Sequence, residues 1–153
     1  MMEPTEISEG RVSDHVQLCG FKIGGGYYAI PVLEVQEVVR PQALSKVPMA
    51  PDYIDGLINL RGQVVTSINL RKLFSIPGDD PEEIMNVIVR SQDSLYSLVV
   101  DEILDVIDVE KKSFAETPDT LDKKVRKYID GVYKLQDKLL ILLSLDKLLN
   151  IEE

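Results

Sequence analysis

One segment of the sequence occurs twice. Residues 53–74 and 128–149 align at an offset of 75, and both open on Tyr-Ile-Asp-Gly, at 53–56 and 128–131. Leu60 falls on Leu135, Leu70 on Leu145, Lys72 on Lys147 and Leu73 on Leu148, giving eight identities in twenty-two positions. Most other pairs are apolar on apolar, such as Val64 on Leu139 and Ile68 on Leu143. The parts that precede them align at an offset of 68. Tyr28–Val32 lies over Tyr96–Val100, Glu34 meets Glu102 and Val38 meets Val106. The difference between the offsets falls between Ile107 and Tyr128, a stretch rich in Lys, Asp, Thr and Pro that reads as loop, where added length costs little entropy. So long a period does not stack into a solenoid. It predicts two copies of one small domain: a mobile tail over 1–15, a first barrel over 16–80 and a second over 81–151, with the boundary near Pro77–Glu83.

Within each copy the apolar residues, mainly Val, Ile and Leu, form short alternating runs broken by turn residues, the pattern of strands. Val16–Ile23, Tyr27–Val32, Gln36–Arg40, Leu57–Leu60 and Val64–Ile68 read as strands of the first copy. Gly24-Gly25-Gly26 turns the chain between the first two, because glycine reaches positive φ without penalty. Asn69 and Ser144 stand at matching places before Leu70-Arg-Lys-Leu and Leu145-Asp-Lys-Leu, where either type caps a helical turn. About five short antiparallel strands leave exposed edges if flat, and closure into a small barrel removes them. The predicted class is all-β: two similar five-stranded barrels, each with a helical turn after its last strand.

A net charge of −9 argues against a nucleic-acid partner, since phosphate binding needs a basic surface. Residues 1–15 hold four acids and one base and show no hydrophobic period, hence the tail. Their polarity is unlike a signal peptide. The longest uninterrupted apolar stretch, Leu139 to Leu143, is far too short to span a membrane. The single cysteine, Cys19, forms no internal disulfide and builds no zinc site, and suits a reducing cytoplasm.

A search for catalytic chemistry finds no set of nucleophile, base and orienting group. His15, the only histidine, lies at the edge of the tail, and Cys19 has no histidine partner. The glycine run is followed by neither Lys-Ser nor Lys-Thr, so it is no phosphate cradle. Glu34, Glu37, Asp101, Glu102, Asp105 and Asp108 read as acids on water-facing strand positions, and Glu34 matches Glu102 between the copies, as fold demands rather than one active site. The basic run Lys123-Lys124-Val125-Arg126-Lys127 reads as a solvated loop. No metal or cofactor is expected, and a dense aliphatic core leaves little room for a ligand inside so small a barrel.

Where the copies agree, the fold requires it; where they differ at a turn, function has room to act. Asn59-Leu60-Arg61-Gly62-Gln63 lies over Lys134-Leu135-Gln136-Asp137-Lys138, so Arg61 and Gly62 have no counterpart of their type. Gly62 frees the turn to adopt positive φ, and Arg61 becomes a cation held out on an acidic protein. Its planar head suits an interface, and a surface pair with a nearby acid is the plainer reading of the same residue.

Gly-Leu-Ile-Asn-Leu-Arg-Gly-Gln-Val-Val at 56–65 with Ile68–Leu73, Tyr28–Val39, Val47-Pro48 and the two Tyr-Ile-Asp-Gly segments resembles the CheW family over about Val16 to Ile151. Thr66-Ser67 stands where that family often has Pro-Val. The resemblance implies two SH3-like barrels and a non-catalytic, cytoplasmic adaptor, monomeric when free. It implies two partners: the regulatory domain of the histidine kinase CheA, and the cytoplasmic tip of methyl-accepting chemoreceptors in membrane-associated arrays. It places receptor contacts at Val35, Glu37, Gly56, Arg61, Gly62 and Gly131, and kinase contacts at Val47, Pro48 and Met49. Val35 and Glu37, two apart on a strand, are expected on one side. Gly56 and Gly131 are expected at a groove between the barrels, open to a receptor helix. The same fold serving an array for pilus motility or development, or a ligand-binding barrel, are the other readings.

Overall fold

The structure, a computed structural model, describes residues 14–78 and 81–150. The first copy forms β1 (His15–Ile23), β2 (Gly26–Pro31), β3 (Val35–Val39), β4 (Ile54–Leu60), β5 (Gln63–Asn69) and a helical turn, α1 (Leu70–Leu73). The second forms β6 (Met85–Ser91), β7 (Ser94–Val100), β8 (Glu102–Glu110), β9 (Phe114–Ala115), α2 (Lys123–Arg126), β10 (Ile129–Lys134), β11 (Leu139–Leu143) and α3 (Leu145–Leu149). Residues 1–13 of the expected tail lie outside the described residues, and His15, placed in that tail from sequence, begins β1.

The repeat holds down to individual atoms. Asn69 N donates to Tyr53 O at 2.7 Å, and Ser144 N donates to Tyr128 O at 2.9 Å. The β4–β5 and β10–β11 hairpins shift register at matching places, between Ile54 and Gly56 and between Ile129 and Gly131. Asn69 caps α1 by accepting from Lys72 N, and Ser144 caps α3 by accepting from Lys147 N, each satisfying one of the free amides of a first turn. Lys72 then reaches Asp55, and Lys147 reaches Asp130, both at 3.4 Å.

The sheets do not follow the division at 80/81. One runs β8-β1-β2-β11-β10-β9 and the other β3-β6-β7-β5-β4. The copies have exchanged their first hairpins: β1–β2 joins strands of the second copy, and β6–β7 joins strands of the first. The exchange is symmetric. Tyr28 pairs with Ile141 in the parallel contact of β2 with β11, and Tyr96 pairs with Thr66 in that of β7 with β5, the same offsets of 68 and 75. The barrels therefore comprise 15–31 with 102–143, and 35–100. The sequence repeat marks the unit that was doubled, not the unit that closes. Pro31, which has no N–H to extend a ladder, and the 3-10 turn Val32–Glu34 carry the chain from β2 into the other sheet. One sheet also has six strands where five were expected, because the two-residue β9 pairs with β10 through Ala115 and Val132. The stretch 107–128 read as loop is largely ordered: β8 continues to Glu110 against β1, and Lys123–Arg126 is helical, capped by Asp122.

The cores follow the same interlocking. One cluster of buried side chains draws on both sheets, with Phe21, Tyr28 and Ile30 from one and Ile68, Val87 and Leu98 from the other. Phe21, Tyr28, Phe74 and Tyr128 form an aromatic column through it, with successive ring centroids 6.5, 5.6 and 5.8 Å apart. Two smaller clusters, around Leu18, Ala29 and Leu140 and around Ile58, Val65 and Ile88, each lie on one sheet. A fully buried side chain of this size contributes roughly 1.5–3 kcal/mol, so the shared cluster binds the barrels into one unit.

Candidate functional site

The Arg61-Gly62 turn is a two-residue loop between Leu60 and Gln63, and both residues have positive φ, +52° and +87°. That is the turn whose twist matches a β-hairpin, and it favours Asn and Gly. Gly62 meets this demand, and its N–H donates to Asn59 Oδ1 at 2.9 Å. Arg61 takes its conformation against local preference, which the sequence did not reveal. Neither Gln136 nor Asp137, at the matching turn, has positive φ. The Arg61 guanidinium donates to Glu37 on β3 and remains mostly exposed. Because β3 and β4 are the two edges of their sheet, this pair ties one edge to the turn beside the other. The matching positions, Asp105 and Gln136, carry no cation.

Val35 and Glu37 are both half-buried, while Gln36 and Val38 between and after them are exposed. A register shift separates the two: Val35 pairs with Val89, yet Glu37 pairs with Ile88. The alternation in burial expected of them is kept, while the ladder to β6 gains an irregularity between them. Val35 packs against the shared core, and Arg90 Nε donates to Gln36 Oε1 at 3.3 Å.

Gly56 and Gly131 do not line an open groove. Both are buried, and each faces backbone of its own barrel. Gly56 has φ +145°, and a Cβ on it would lie 2.6 Å from Ser45 O. Ser45 exchanges two backbone hydrogen bonds with Leu57, at 2.9 and 2.8 Å. A Cβ on Gly131 would lie 2.3 Å from the Phe114 ring and 2.8 Å from Ala115 O. In both barrels the glycine lets a short edge segment cross the bulged strand closely.

Beyond Ser45 the loop turns at Val47-Pro48-Met49-Ala50, with Ala50 N donating to Val47 O at 3.3 Å and Met49 at φ +65°. Met49 is fully exposed, and Leu44 and Val47 are partly so. The predicted kinase residues thus form an apolar tip, anchored at Ser45 by the absence of a side chain on Gly56.

A second polar cluster went unread in the sequence. Asp101 accepts from Gly24 N at 2.7 Å and from the Arg71 guanidinium, whose other nitrogen donates to Pro77 O at 2.8 Å. Arg71 and Asp101 are only 13% and 16% exposed. Gly24 turns β1 into β2, Arg71 sits on α1, and Asp101 links β7 to β8, so this clasp joins the two sheets. The signal was available, since Arg71 aligns with Asp146 and Asp101 with Leu33. The comparison that singled out Arg61 applies equally to these positions.

Cys19 is buried on β1, and burial pushes its thiol pKa up, away from the nucleophilic thiolate. His15 Nδ1 lies 3.3 Å from Asp108 at the surface. Among the described residues, no three His, Cys, Asp or Glu gather to hold a metal, and no helix is long and apolar enough to cross a membrane.

Known proteins share this fold and much of this sequence. The chemotaxis protein CheW of Helicobacter pylori is 32% identical over 136 residues, covering 88% of this chain and 81% of that protein. The protein PilI of Pseudomonas aeruginosa is 24% identical over 123 residues, covering 80% and 69%. The crystal structure of the scaffolding protein TtCheW of Thermoanaerobacter tengcongensis superposes with a TM-score of 0.78 at 28% identity, covering 85% of this chain and 89% of that one. The likeness extends to the fold of two SH3-like β domains. The family model for the CheW-like domain matches residues 17–153, and the chain belongs to that family.

Proposed function

We propose that the chain is a non-catalytic adaptor that couples chemoreceptors to the histidine kinase CheA. One observation carries the reading. Arg61 is kept at a position that favours Asn or Gly, is steadied by Glu37, and has no equivalent in the other copy of the same hairpin. A residue held against its local preference and mostly in water serves contact with a partner better than it serves the fold. Receptor contact is assigned to Val35, Glu37, Arg61 and Gly62. Gly56 and Gly131 act on it indirectly, by shaping the edges of the two barrels. Kinase contact is assigned to the apolar tip at Val47, Pro48 and Met49, where exposed Met and Val offer the adaptable apolar area that interfaces use. The test is size-exclusion chromatography of the chain mixed with the regulatory domain of the kinase and with a receptor cytoplasmic tip. Co-elution with both supports the adaptor; co-elution with neither rejects it. The similarity to PilI favours one second reading, coupling in an array that controls pilus motility, and the kinase that co-purifies from the native cell separates the two.

A further inference from the structure

We infer that α2 is a cationic docking surface for an acidic face of a protein partner, an inference that rests on the adaptor reading. At the offset of 75, Lys123, Lys124, Arg126 and Lys127 stand over Pro48, Met49, Pro51 and Asp52. The same place in the two barrels thus carries an apolar tip in one and a basic turn in the other. The fold asks only for an apolar anchor here, which Val125 supplies by burying itself in the shared core. The charge is additional to that demand.

The turn is held firmly. Asp122 accepts from Lys124 N at 2.9 Å, and Tyr128 N donates to Val125 O at 2.9 Å. Its first two lysines are left available. Lys123 and Lys124 are exposed and, among the described residues, form no ion pair. Lys127 stands 5.3 Å from the centroid of the Tyr128 ring, and Arg126 reaches only Asp119, itself 98% exposed. A chain of net charge −9 has acids in excess, so four cations in the five residues 123–127 are a local departure from its own composition.

An acidic protein face fits this surface better than an anionic membrane does. Surface-bound helices insert apolar side chains beside their cations. Here Val125 is buried and Leu121 is half-buried, so the turn has nothing to insert. The acidic remainder of the chain also repels an extended anionic surface, whereas a few carboxylates on a folded partner meet only the patch.

The experiment compares Lys123→Glu/Lys124→Glu with Lys111→Glu/Lys134→Glu, an equal charge change on exposed lysines of the 3-10 turn after β8 and of β10. Each is titrated, with wild type, against the kinase regulatory domain and against the receptor tip at two salt concentrations. The α2 variant is expected to bind one of the two partners about tenfold more weakly, with less dependence on salt. The Lys111/Lys134 variant is expected to bind as wild type does. Lys123→Gln/Lys124→Gln should fall between, which separates lost attraction from new repulsion. Circular dichroism checks that all variants are folded. Undiminished binding of the α2 variant to both partners overturns the docking surface alone. Wild type that binds neither partner overturns the adaptor reading and this inference with it. Binding to phosphatidylglycerol vesicles that the α2 variant loses, with both protein partners unaffected, would reassign the patch to lipid.

Discussion

The Arg61 guanidinium lies against the Glu37 carboxylate across 24 residues of sequence, and so fastens the β4–β5 turn to the edge strand β3. An exposed pair of this kind stabilises a fold by only about 0–1 kcal/mol. Its value lies in fixing where the arginine points. Arg61→Glu should therefore melt within about 1 kcal/mol of wild type and fail to assemble with receptor and kinase. Arg61→Gly, which relieves the positive φ, should melt no lower than wild type and fail equally. Thermal unfolding and co-sedimentation with both partners check this; normal assembly of either variant would return Arg61 to an ordinary surface role.

Gly56→Ala and Gly131→Ala should each lose about 1–3 kcal/mol of stability, because the new methyl group meets the backbone of Ser45 or the ring and backbone of Phe114 and Ala115. Denaturant unfolding measures this. A variant that is fully stable and defective only in binding would place these glycines at an open contact surface instead.

Asp101→Asn leaves the mostly buried Arg71 without its counter-charge and should cost about 3 kcal/mol or more. Arg71→Met combined with Asp101→Asn should recover part of that loss, since it removes the stranded cation. The double-mutant cycle, followed by urea unfolding, separates an inter-sheet clasp from two unrelated surface residues.

Glu34 has its pKa raised, first by burial and then by the nearby charges of Asp146 and Asp130. A carboxyl raised in the folded state binds its proton more tightly there than in the unfolded chain. It therefore favours folding below its ordinary range and disfavours it once ionised. Glu34→Gln should raise the melting temperature at pH 7 and leave it unchanged near pH 3. An equal effect at both values would remove the electrostatic explanation.

Ser67 and Ser97 pair across β5 and β7, both buried and both with a side-chain oxygen that meets no partner among the described residues. Ser67→Ala and Ser97→Ala should leave stability unchanged or raise it by about 1 kcal/mol, because an unsatisfied buried hydroxyl is removed. A clear loss in calorimetry would mean that these hydroxyls are satisfied in solution.

Strand positions, both helical turns and the family were legible in the sequence, because alternation, capping residues and the doubled Tyr-Ile-Asp-Gly all act over short distances. Partner choice between strands was not. The repeat says that β1–β2 and β6–β7 are equivalent, yet equivalence is silent on whether each hairpin closes its own copy or the other. Periodicity also could not show that Lys123–Arg126 is helical, since only Val125 of its residues is buried. At the site, Arg61 and Gly62 were found through the mismatch between copies. The pair of Arg61 with a nearby acid was read there too, and Glu37 is that acid; the Arg71–Asp101 clasp depends on which sheet edges meet, and that follows from the exchange of hairpins.

That exchange also orders events on the ribosome. The sheet of β3 to β7 is complete once Val100 has emerged, while the N-terminal hairpin still waits for strands that end at Leu143. The chain must grow by roughly 40 more residues, which takes about 2–8 s at the usual 5–20 residues per second. β1 gains β8 early in that interval, but β2 holds an unpaired edge until β11 is made, so the nascent protein passes through a stage in which one sheet is complete and its earliest hairpin is only half seated.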